Sequence, residues 1–162
     1  MTYDGPIRVV PIDLDRLDEV VEIERHCFSD PWSRAMFLSE IELGGGTYAR
    51  GALVADKQGA ERVVGYSFAV LVMDEAHLGN LAVNPWYRRK GVAQRLLGDL
   101  VSEARRQGVR RVTLEVRESN VHARTFYARN GFIDIAMRKS YYQNPVEDAI
   151  VMLLMLPGGQ SA

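Results

Sequence analysis

Cysteine, histidine and long apolar stretches are scarce in this sequence. Among its 162 residues there are one cysteine, Cys27, and three widely separated histidines. A single cysteine excludes an intrachain disulfide and a CxxC redox pair, and so few nitrogen and sulfur ligands argue against a metal enzyme. The sequence has no run of about 18 apolar residues and no visible secretory signal. These absences predict a cytoplasmic protein that needs no metal and contacts no membrane.

Net charge of either sign is also nearly absent, since 20 basic residues face 21 acidic ones. A formal charge of −1 argues against nucleic-acid binding over a large surface. The average conceals a split, because residues 1–42 carry ten acidic and four basic side chains, whereas residues 86–111 carry eight basic and two acidic ones. Two interpretations stay open: a local site for an anion, or two solvated helix faces of opposite sign.

The length and the spacing of apolar residues predict one domain of the α/β (α+β) class. Hydrophobic residues make up 47% of the chain, enough for one ordinary core. We expect residues 1–156 to form this domain and residues 157–162 to be a disordered tail. Strand and helix periodicities predict the order β-α-α-β-β-β-α-β-α-β-β. The predicted strands are 7–12, 53–55, 63–72, 77–83, 111–117, 132–139 and 148–156, and the predicted helices run from Asp13 or Asp15 through Phe28, from Ser33 to the glycines at 44–46, over 91–107, and from Ser119 or Asn120 through Tyr127.

A basic, glycine-containing segment joins the predicted strand 77–83 to the helix 91–107. The first turn of a helix presents unpaired backbone N–H groups and about half a positive charge. Gly91 and Ala93 let an anion approach these groups, and three basic residues, 88–90, stand beside them. The arrangement suits a pyrophosphate, although neither GxGxxG nor a Walker lysine is present. The alternative is that Gly91 only begins the helix and the basic residues are solvated.

A carboxylate interrupts the predicted central strand 111–117. A strand covered on both faces normally reads as a continuous apolar run, so Glu115 indicates a face that borders a cleft. There it can act as a general base, directly or through a water. The alternatives are an ion pair with Arg117 or plain solvation.

Two motifs resemble those of a known superfamily. Arg88-x-x-Gly91-x-Ala93 resembles the acyl-CoA signature Q/R-x-x-G-x-G/A of the GNAT (Gcn5-related N-acetyltransferase) superfamily, and the segment 120–132 resembles its N-x-x-A-x-x-[FL]-Y-x-x-x-G-F pattern. The resemblance implies the GNAT acyl-CoA N-acyltransferase fold, a mixed central sheet of six to seven strands flanked by four helices, with acetyl-CoA as cosubstrate. The residues that it implies for acetyl-CoA binding are Leu81, Ala82, Val83, Arg88, Arg89, Lys90, Gly91, Val92, Ala93, Gln94, Asn120 and Tyr127.

Three further segments, 27–33, 74–78 and 141–152, resemble the bacterial RimI branch, the ribosomal-protein-alanine N-acetyltransferases. This resemblance implies direct transfer, in a ternary complex, to the N-terminal amine of a protein, in first place the N-terminal alanine of a small-subunit ribosomal protein. It implies Glu115 as proton acceptor and Tyr127 as proton donor. The residues that it implies for the acceptor peptide are Phe28, Pro31, Trp32, Glu75, Tyr141 and Tyr142.

Other functions stay open from the sequence. The acceptor of the same class of enzyme can be a lysine side chain or a small amine. A non-catalytic acyl-CoA-binding module is disfavoured because both Glu115 and Tyr127 are present. RNA binding by residues 86–111 is disfavoured because no surface of interleaved aromatic and basic residues is apparent. We expect a monomer or a weak dimer.

Overall fold

The computed structural model describes residues 5–158, which contain seven strands and four α-helices. The strands are β1 (Arg8–Pro11), β2 (Thr47–Ala55), β3 (Glu61–Val72), β4 (Glu75–Val83), β5 (Arg111–Arg117), β6 (Ile133–Tyr142) and β7 (Glu147–Met155). The helices are α1 (Leu17–Cys27), α2 (Arg34–Leu43), α3 (Val92–Arg106) and α4 (Val121–Arg129), with short 3-10 turns at Leu14–Arg16 and Pro85–Tyr87. The strands are hydrogen-bonded in the order β1-β2-β3-β4-β5-β7-β6, with parallel and antiparallel pairs. The predicted fold class, a mixed sheet with four helices, is confirmed.

The chain forms two compact units. The first contains the described residues up to 69 together with 80–103, and its core is built on α1. Leu17 and Val20 recur on one face of that helix and are fully buried with Phe37 of α2 and Tyr66 of β3. The rings of Phe37 and Tyr66 meet edge to face, with centroids 5.7 Å apart, a geometry that aromatic pairs prefer.

The second unit contains residues 70–79 and the described residues from 104 onward. In its central strand, β5, Val112, Leu114 and Val116 alternate and are buried, as period-2 spacing requires. β5 runs parallel to the first half of β4, with Glu75–Leu78 opposite Arg111–Leu114, and antiparallel to β7. A strand–helix–strand connection within one sheet is the usual link between parallel strands, and β4, α3 and β5 follow it.

Two helices begin beside the residues from which the sequence predicts them, and two end at glycines. The side chains of Ser33 and Asn120 each accept a hydrogen bond from the backbone N–H three residues later, which satisfies a donor of the first turn. Gly44 follows α2 and Gly108 follows α3, with φ of +61° and +79°. These left-handed conformations favour glycine. The glycines at 44–46 therefore end α2, as predicted, and lead into β2.

Some apolar positions differ from the predictions. Phe28 was expected to continue the apolar stripe of α1, but it lies beyond the helix with extended dihedrals (φ −129°, ψ 141°) and is exposed. Pro31, three residues on, cannot continue a helix. On α2, Met36 is exposed, because Phe37, the next residue and about 100° further round the helix, occupies the core.

The strands β2 and β6 extend furthest beyond their predicted bounds. β2 begins at Thr47 rather than at Leu53, with Tyr48 buried near its start. β6 continues to Tyr142 through a register shift after Arg138, which hides the strand pattern in the sequence. Residues 159–162 of the predicted tail lie outside the described residues, and the extent of a single domain, 1–156, stays a prediction. Within the described part, no helix is long and apolar enough to cross a membrane.

Candidate active site

The first turn of α3 lies beside open space. The Arg95 N–H donates to the Gly91 carbonyl (3.0 Å), and the N–H groups at the start of an α-helix have no carbonyl four residues earlier in the helix. Gly91 has a φ of +83°, and a side chain built there would meet no atom of the described chain within 4 Å. The glycine is thus required by its backbone conformation.

The basic side chains before this turn are exposed. The Arg88 guanidinium donates to Cys27 Sγ (3.7 Å), and Lys90 Nζ lies 5.5 Å from the ring centre of Tyr87. Arg89 adopts a left-handed conformation with a φ of +61°. Positive charges beside the positive end of a helix dipole are unfavourable unless an anion offsets them. Their placement therefore favours the anion-site interpretation over simple solvation.

The last residues of β4 are held by core packing and by a thiol. Leu81 and Val83 are half-buried against a cluster that includes Val92 of α3, and Ala82 is buried. The Cys27 thiol donates to the Val83 carbonyl (3.4 Å). Burial raises the pKa of this thiol, so Cys27 packs in its protonated form rather than serving as a thiolate nucleophile.

The segment after α1 divides into exposed and buried side chains. Phe28 and Pro31 are exposed. The Trp32 ring instead packs into the core, 5.2 Å from the ring of Phe37 and 6.5 Å from that of Phe68. Of the three residues in this segment that were predicted to contact the peptide, the structure therefore leaves Phe28 and Pro31 accessible and buries part of the Trp32 ring in the core.

A buried carboxylate that sequence reasoning missed holds this segment. Glu24 on α1 is 1% exposed and accepts hydrogen bonds from the Trp32 backbone N–H (2.9 Å), from the Asn80 side chain (3.1 Å) and from the Tyr66 hydroxyl. Three donors offset the cost of burying a carboxylate. The available signal was its position on the apolar face of α1, four residues after the core residue Val20.

Glu115 has a partner that the sequence did not indicate. His77 Nε2 lies 2.6 Å from Glu115 Oε2, with the Glu115 side chain 11% exposed and that of His77 46% exposed. The parallel register places His77 of β4 opposite Thr113 of β5. Glu115, two residues after Thr113, lies on the same face of β5, where His77 reaches it. The hydrogen bond lowers the pKa of Glu115 and raises the pKa of His77. Arg117, the partner considered from the sequence, pairs with Glu147 instead.

Tyr127 on α4 is buried among aromatic rings. It is 8% exposed, and its ring lies 5.3 Å from that of Phe126 and 5.4 Å from that of Phe132. Burial, followed by the nearby Tyr142, raises its pKa, so its hydroxyl keeps the proton at neutral pH. Asn120 uses its side-chain oxygen to cap α4.

The two tyrosines of β6 stand together. Their ring centroids are 5.0 Å apart at 88°, with Tyr141 exposed and Tyr142 half-buried. Burial, followed by the Tyr141 hydroxyl and the Glu115 carboxylate, raises the pKa of Tyr142 to about 12. In addition to burial, Glu115 raises the pKa of both tyrosines and Tyr142 raises that of Tyr127, so Tyr142 lies within electrostatic range of both Glu115 and Tyr127 in the second unit.

Glu75, predicted to meet the peptide, is engaged with β5. It accepts a hydrogen bond from Thr113 Oγ1 (3.2 Å) and lies 3.8 Å from Arg111 Nε. Its carboxylate therefore has partners within the second unit. Among residues 5–158, no group of three or more His, Cys, Asp or Glu side chains is arranged to hold a metal ion.

The fold and the sequence place the chain in a known class. The model of the acetyltransferase (GNAT) family matches residues 17–132. The match covers more than half of the sequence, so the chain belongs to the acetyltransferase (GNAT) family. This confirms the expectation drawn from the motifs at 88–93 and 120–132.

Its relatives are N-acetyltransferases. The [ribosomal protein bS18]-alanine N-acetyltransferase of Salmonella typhimurium is 36% identical over 135 residues, which are 82% of this chain and 86% of the relative. The crystal structure of the ribosomal-protein-S18-alanine N-acetyltransferase from Escherichia coli has a TM-score of 0.82 at 29% identity, and the match covers 97% of this chain and 99% of that one. Arabidopsis thaliana NAA60, solved in complex with acetyl-CoA, shares the fold at 20% identity with a TM-score of 0.80, over 94% of this chain and 100% of that one. The predicted resemblance to the RimI branch is confirmed.

Proposed function

We propose that this chain is an N-alpha-acetyltransferase that moves an acetyl group from acetyl-CoA to the N-terminal amine of a protein. The observation that carries the proposal is the Glu115 carboxylate, which lies on a central strand, one-tenth exposed, hydrogen-bonded to His77 and close enough to Tyr142 to raise the pKa of that tyrosine. A partly buried carboxylate and a protonated phenol provide an acceptor and a donor for the two protons that such a reaction moves, and the second unit contains both, in Glu115 and Tyr127.

The start of α3 fits the diphosphate part of acetyl-CoA. The N–H groups of residues 91–94 and the charges of residues 88–90 would bind the pyrophosphate oxygens, as helix N-termini do in other proteins. The backbone of residues 81–83 would pair with the pantetheine arm, and Asn120 would contact that arm with its amide. Acetyl-CoA supplies the acetyl group as a thioester.

Two side chains are assigned to proton transfer during direct attack in a ternary complex. Glu115, directly or through a water, accepts the proton that the amine loses as its nitrogen bonds to the carbonyl carbon. Tyr127 gives its proton to the sulfur as the carbon–sulfur bond breaks. A backbone N–H near Val83 would polarise the carbonyl oxygen. No acyl-enzyme is needed, and the raised pKa of Cys27 is in keeping with that.

Amine chemistry favours an N-terminus over a lysine as acceptor. An α-amine with a pKa near 7.8 is roughly 14% neutral at pH 7, whereas a lysine near 10.4 is about 0.04% neutral. The ratio is roughly 300-fold, or about 3.4 kcal/mol. A carboxylate whose pKa is held low is a modest base, and this suits an amine that is already partly deprotonated.

The names of the relatives favour the N-terminal alanine of a small-subunit ribosomal protein as the acceptor. Exposed Phe28 and Pro31 of the first unit, and exposed Tyr141 and half-buried Tyr142 of the second, are proposed to contact the peptide. The Trp32 backbone, which donates a hydrogen bond to Glu24, would contribute to peptide binding through its position. Glu75, which accepts a hydrogen bond from Thr113 of β5, would contribute from there. The cytoplasmic location and the monomeric or weakly dimeric state stay predictions.

Turnover of acetyl-CoA, followed by release of free thiol, tests this function. The acceptors are a hexapeptide that begins with alanine and its N-terminally blocked twin that contains a lysine. We expect turnover with the free alanine peptide alone. Turnover with the blocked twin would assign the enzyme to lysine side chains. Silence with both would direct the search to small amines, and then to a non-catalytic acyl-CoA-binding module.

A further inference from the structure

Arg117, the last residue of β5, contacts the hairpin that carries Tyr141 and Tyr142. Its Nη1 donates to the Pro145 carbonyl (3.0 Å) and its Nη2 donates to the Gln143 carbonyl (2.9 Å). The central carbon of the guanidinium lies 4.5 Å from the ring centre of Tyr142, within the range of a cation–π contact. One side chain therefore holds both the turn and one tyrosine.

Glu147 fixes the guanidinium from the other strand of the hairpin. Arg117 Nη1 also donates to Glu147 Oε1 (3.2 Å), and Glu147 Oε2 accepts the Ser119 backbone N–H (2.6 Å). These hydrogen bonds, with Ser119 first and Arg117 after it, lower the pKa of Glu147 and keep it ionised. A planar guanidinium with several fixed acceptors has little freedom to turn.

The hairpin has no regular ladder of its own at this point. The register of β6 against β7 shifts between Arg138 and Tyr142. Within the shift, Ser140 has a φ of +51° and donates its N–H to Asp148 Oδ1 (2.7 Å). Asn144 in the turn has a φ of +52°. Because the ladder is interrupted before the pair Tyr142–Glu147, side-chain contacts contribute to setting this segment.

We propose that Arg117 is a positioning residue for the acceptor peptide: through the Tyr142 ring and the turn 143–146, it fixes the surface on which the first residues of the peptide lie. The inference rests on the proposed function, in which the tyrosine pair binds the peptide. Arg117 stands two residues after Glu115 on the same face of β5. It therefore sets the tyrosines relative to the residue that accepts the proton.

The test uses Arg117→Met, Arg117→Lys and a matched control, Arg124→Met, in the full chain. Arg124 also donates to a carbonyl and a carboxylate, those of Glu118 and Asp134, but Asp134 lies at the start of β6, seven residues before Tyr141. Initial rates are measured while the alanine peptide and acetyl-CoA are varied separately. We expect Arg117→Met to raise the KM for the peptide at least about tenfold and to leave the KM for acetyl-CoA within about twofold, as expected when a bidentate clamp is lost.

Arg117→Lys should recover part of the loss, because an ammonium keeps the charge near the ring but cannot donate as a fork. Arg124→Met should change neither KM. A peptide KM that stays within twofold in an active Arg117→Met enzyme would overturn the proposal and leave the proposed function intact. A parallel rise in both KM values would also overturn it, because it would show a general structural role. A wild-type enzyme that is inactive on every free N-terminus would refute the proposed function and this assignment with it.

Discussion

Glu24 and Glu115 are both carboxylates that accept hydrogen bonds within a folded unit, but they meet different donors. Glu24 is 1% exposed and is held by a hydroxyl, an amide and a backbone N–H, none of which titrates near neutral pH as a cation. Glu115 is 11% exposed and is bonded to His77, which does titrate there. The first arrangement fixes a loop, and the second leaves a carboxylate able to exchange a proton. Each of the following changes tests that difference.

The largest effect is expected from Glu115→Gln. The amide keeps the shape of the side chain but cannot accept a proton, so we expect kcat/KM for the alanine peptide to fall by about 10²–10⁴, the range for a positioned acid or base. The acidic limb of the rate–pH profile should flatten. Steady-state rates between acidic and neutral pH measure both effects.

The matched control for this change is Glu118→Gln, three residues further along and exposed. It should leave both rate and pH profile unchanged, because its side chain is solvated. An acidic limb that persists unaltered in Glu115→Gln would place the base elsewhere, with Glu75 as the next residue to test.

Glu24→Ala should act on stability instead. It leaves the donors of Trp32, Tyr66 and Asn80 without their acceptor, and buried unsatisfied groups cost about 1–3 kcal/mol each. We expect the free energy of unfolding to fall by about 3 kcal/mol, which lowers Tm by roughly 6–12 °C for a chain of this size. Denaturant titration measures the loss, and Glu24→Gln, which retains one carbonyl oxygen, should lose less. A stability equal to wild type in Glu24→Ala would contradict the structural role.

Tyr127→Phe should separate turnover from binding. The ring remains buried between Phe126 and Phe132, so packing is retained while the proton donor is lost. We expect kcat to fall about 10²-fold, near the lower bound for a positioned acid, and the KM for acetyl-CoA to change only a few-fold. Equal losses in both constants would argue against the role of proton donor.

His77→Gln should have the smallest effect on stability, with a defined pH dependence. The pKa of His77 is raised on folding, so its contribution is fully present below the unfolded pKa, about 6.5, and is lost as pH rises through the folded value. The pKa of Glu115 is lowered, so its contribution is present above the unfolded pKa, about 4.3, and is lost as pH falls. His77 is nearly half exposed, so the difference should stay below about 1 kcal/mol.

Denaturant titrations of wild type and His77→Gln across this range measure the effect. The gap in unfolding free energy should be widest at about pH 5–6.5 and should shrink toward pH 8 and above. A gap that is constant with pH would show that the two residues do not form a charged pair in solution.

Local patterns in the sequence predicted much of the fold. The alternation of Val112, Leu114 and Val116 fixes both ends of β5, and the caps Ser33 and Asn120 mark two helix starts. Periodicity and capping act within a few residues, so the sequence shows them directly. The start of β2 was predicted six residues too far along the chain, at Leu53 instead of Thr47. No local pattern marks residues 47–52 as a strand.

The partners of the two carboxylates could not be read from the sequence. His77 reaches Glu115 because the parallel register places it opposite Thr113, and that register is a property of the sheet. Glu24 meets donors from β3 and β4, which lie more than forty residues further along the chain. Each partner depends on how strands are aligned, which no single segment encodes. The sequence identified Glu115 as a candidate, and the structure adds the hydrogen bond from His77 that lowers the pKa of its carboxyl group.

The central claim is that the enzyme acetylates an N-terminus in preference to a lysine. A single peptide with a free N-terminal alanine and one internal lysine tests it most directly, with the acetylated position located by tandem mass spectrometry at early times. We predict label on the alanine amine alone while unreacted peptide remains. Label that accumulates on the lysine at a comparable rate would contradict the account and would show that acceptor choice does not depend on the α-amine.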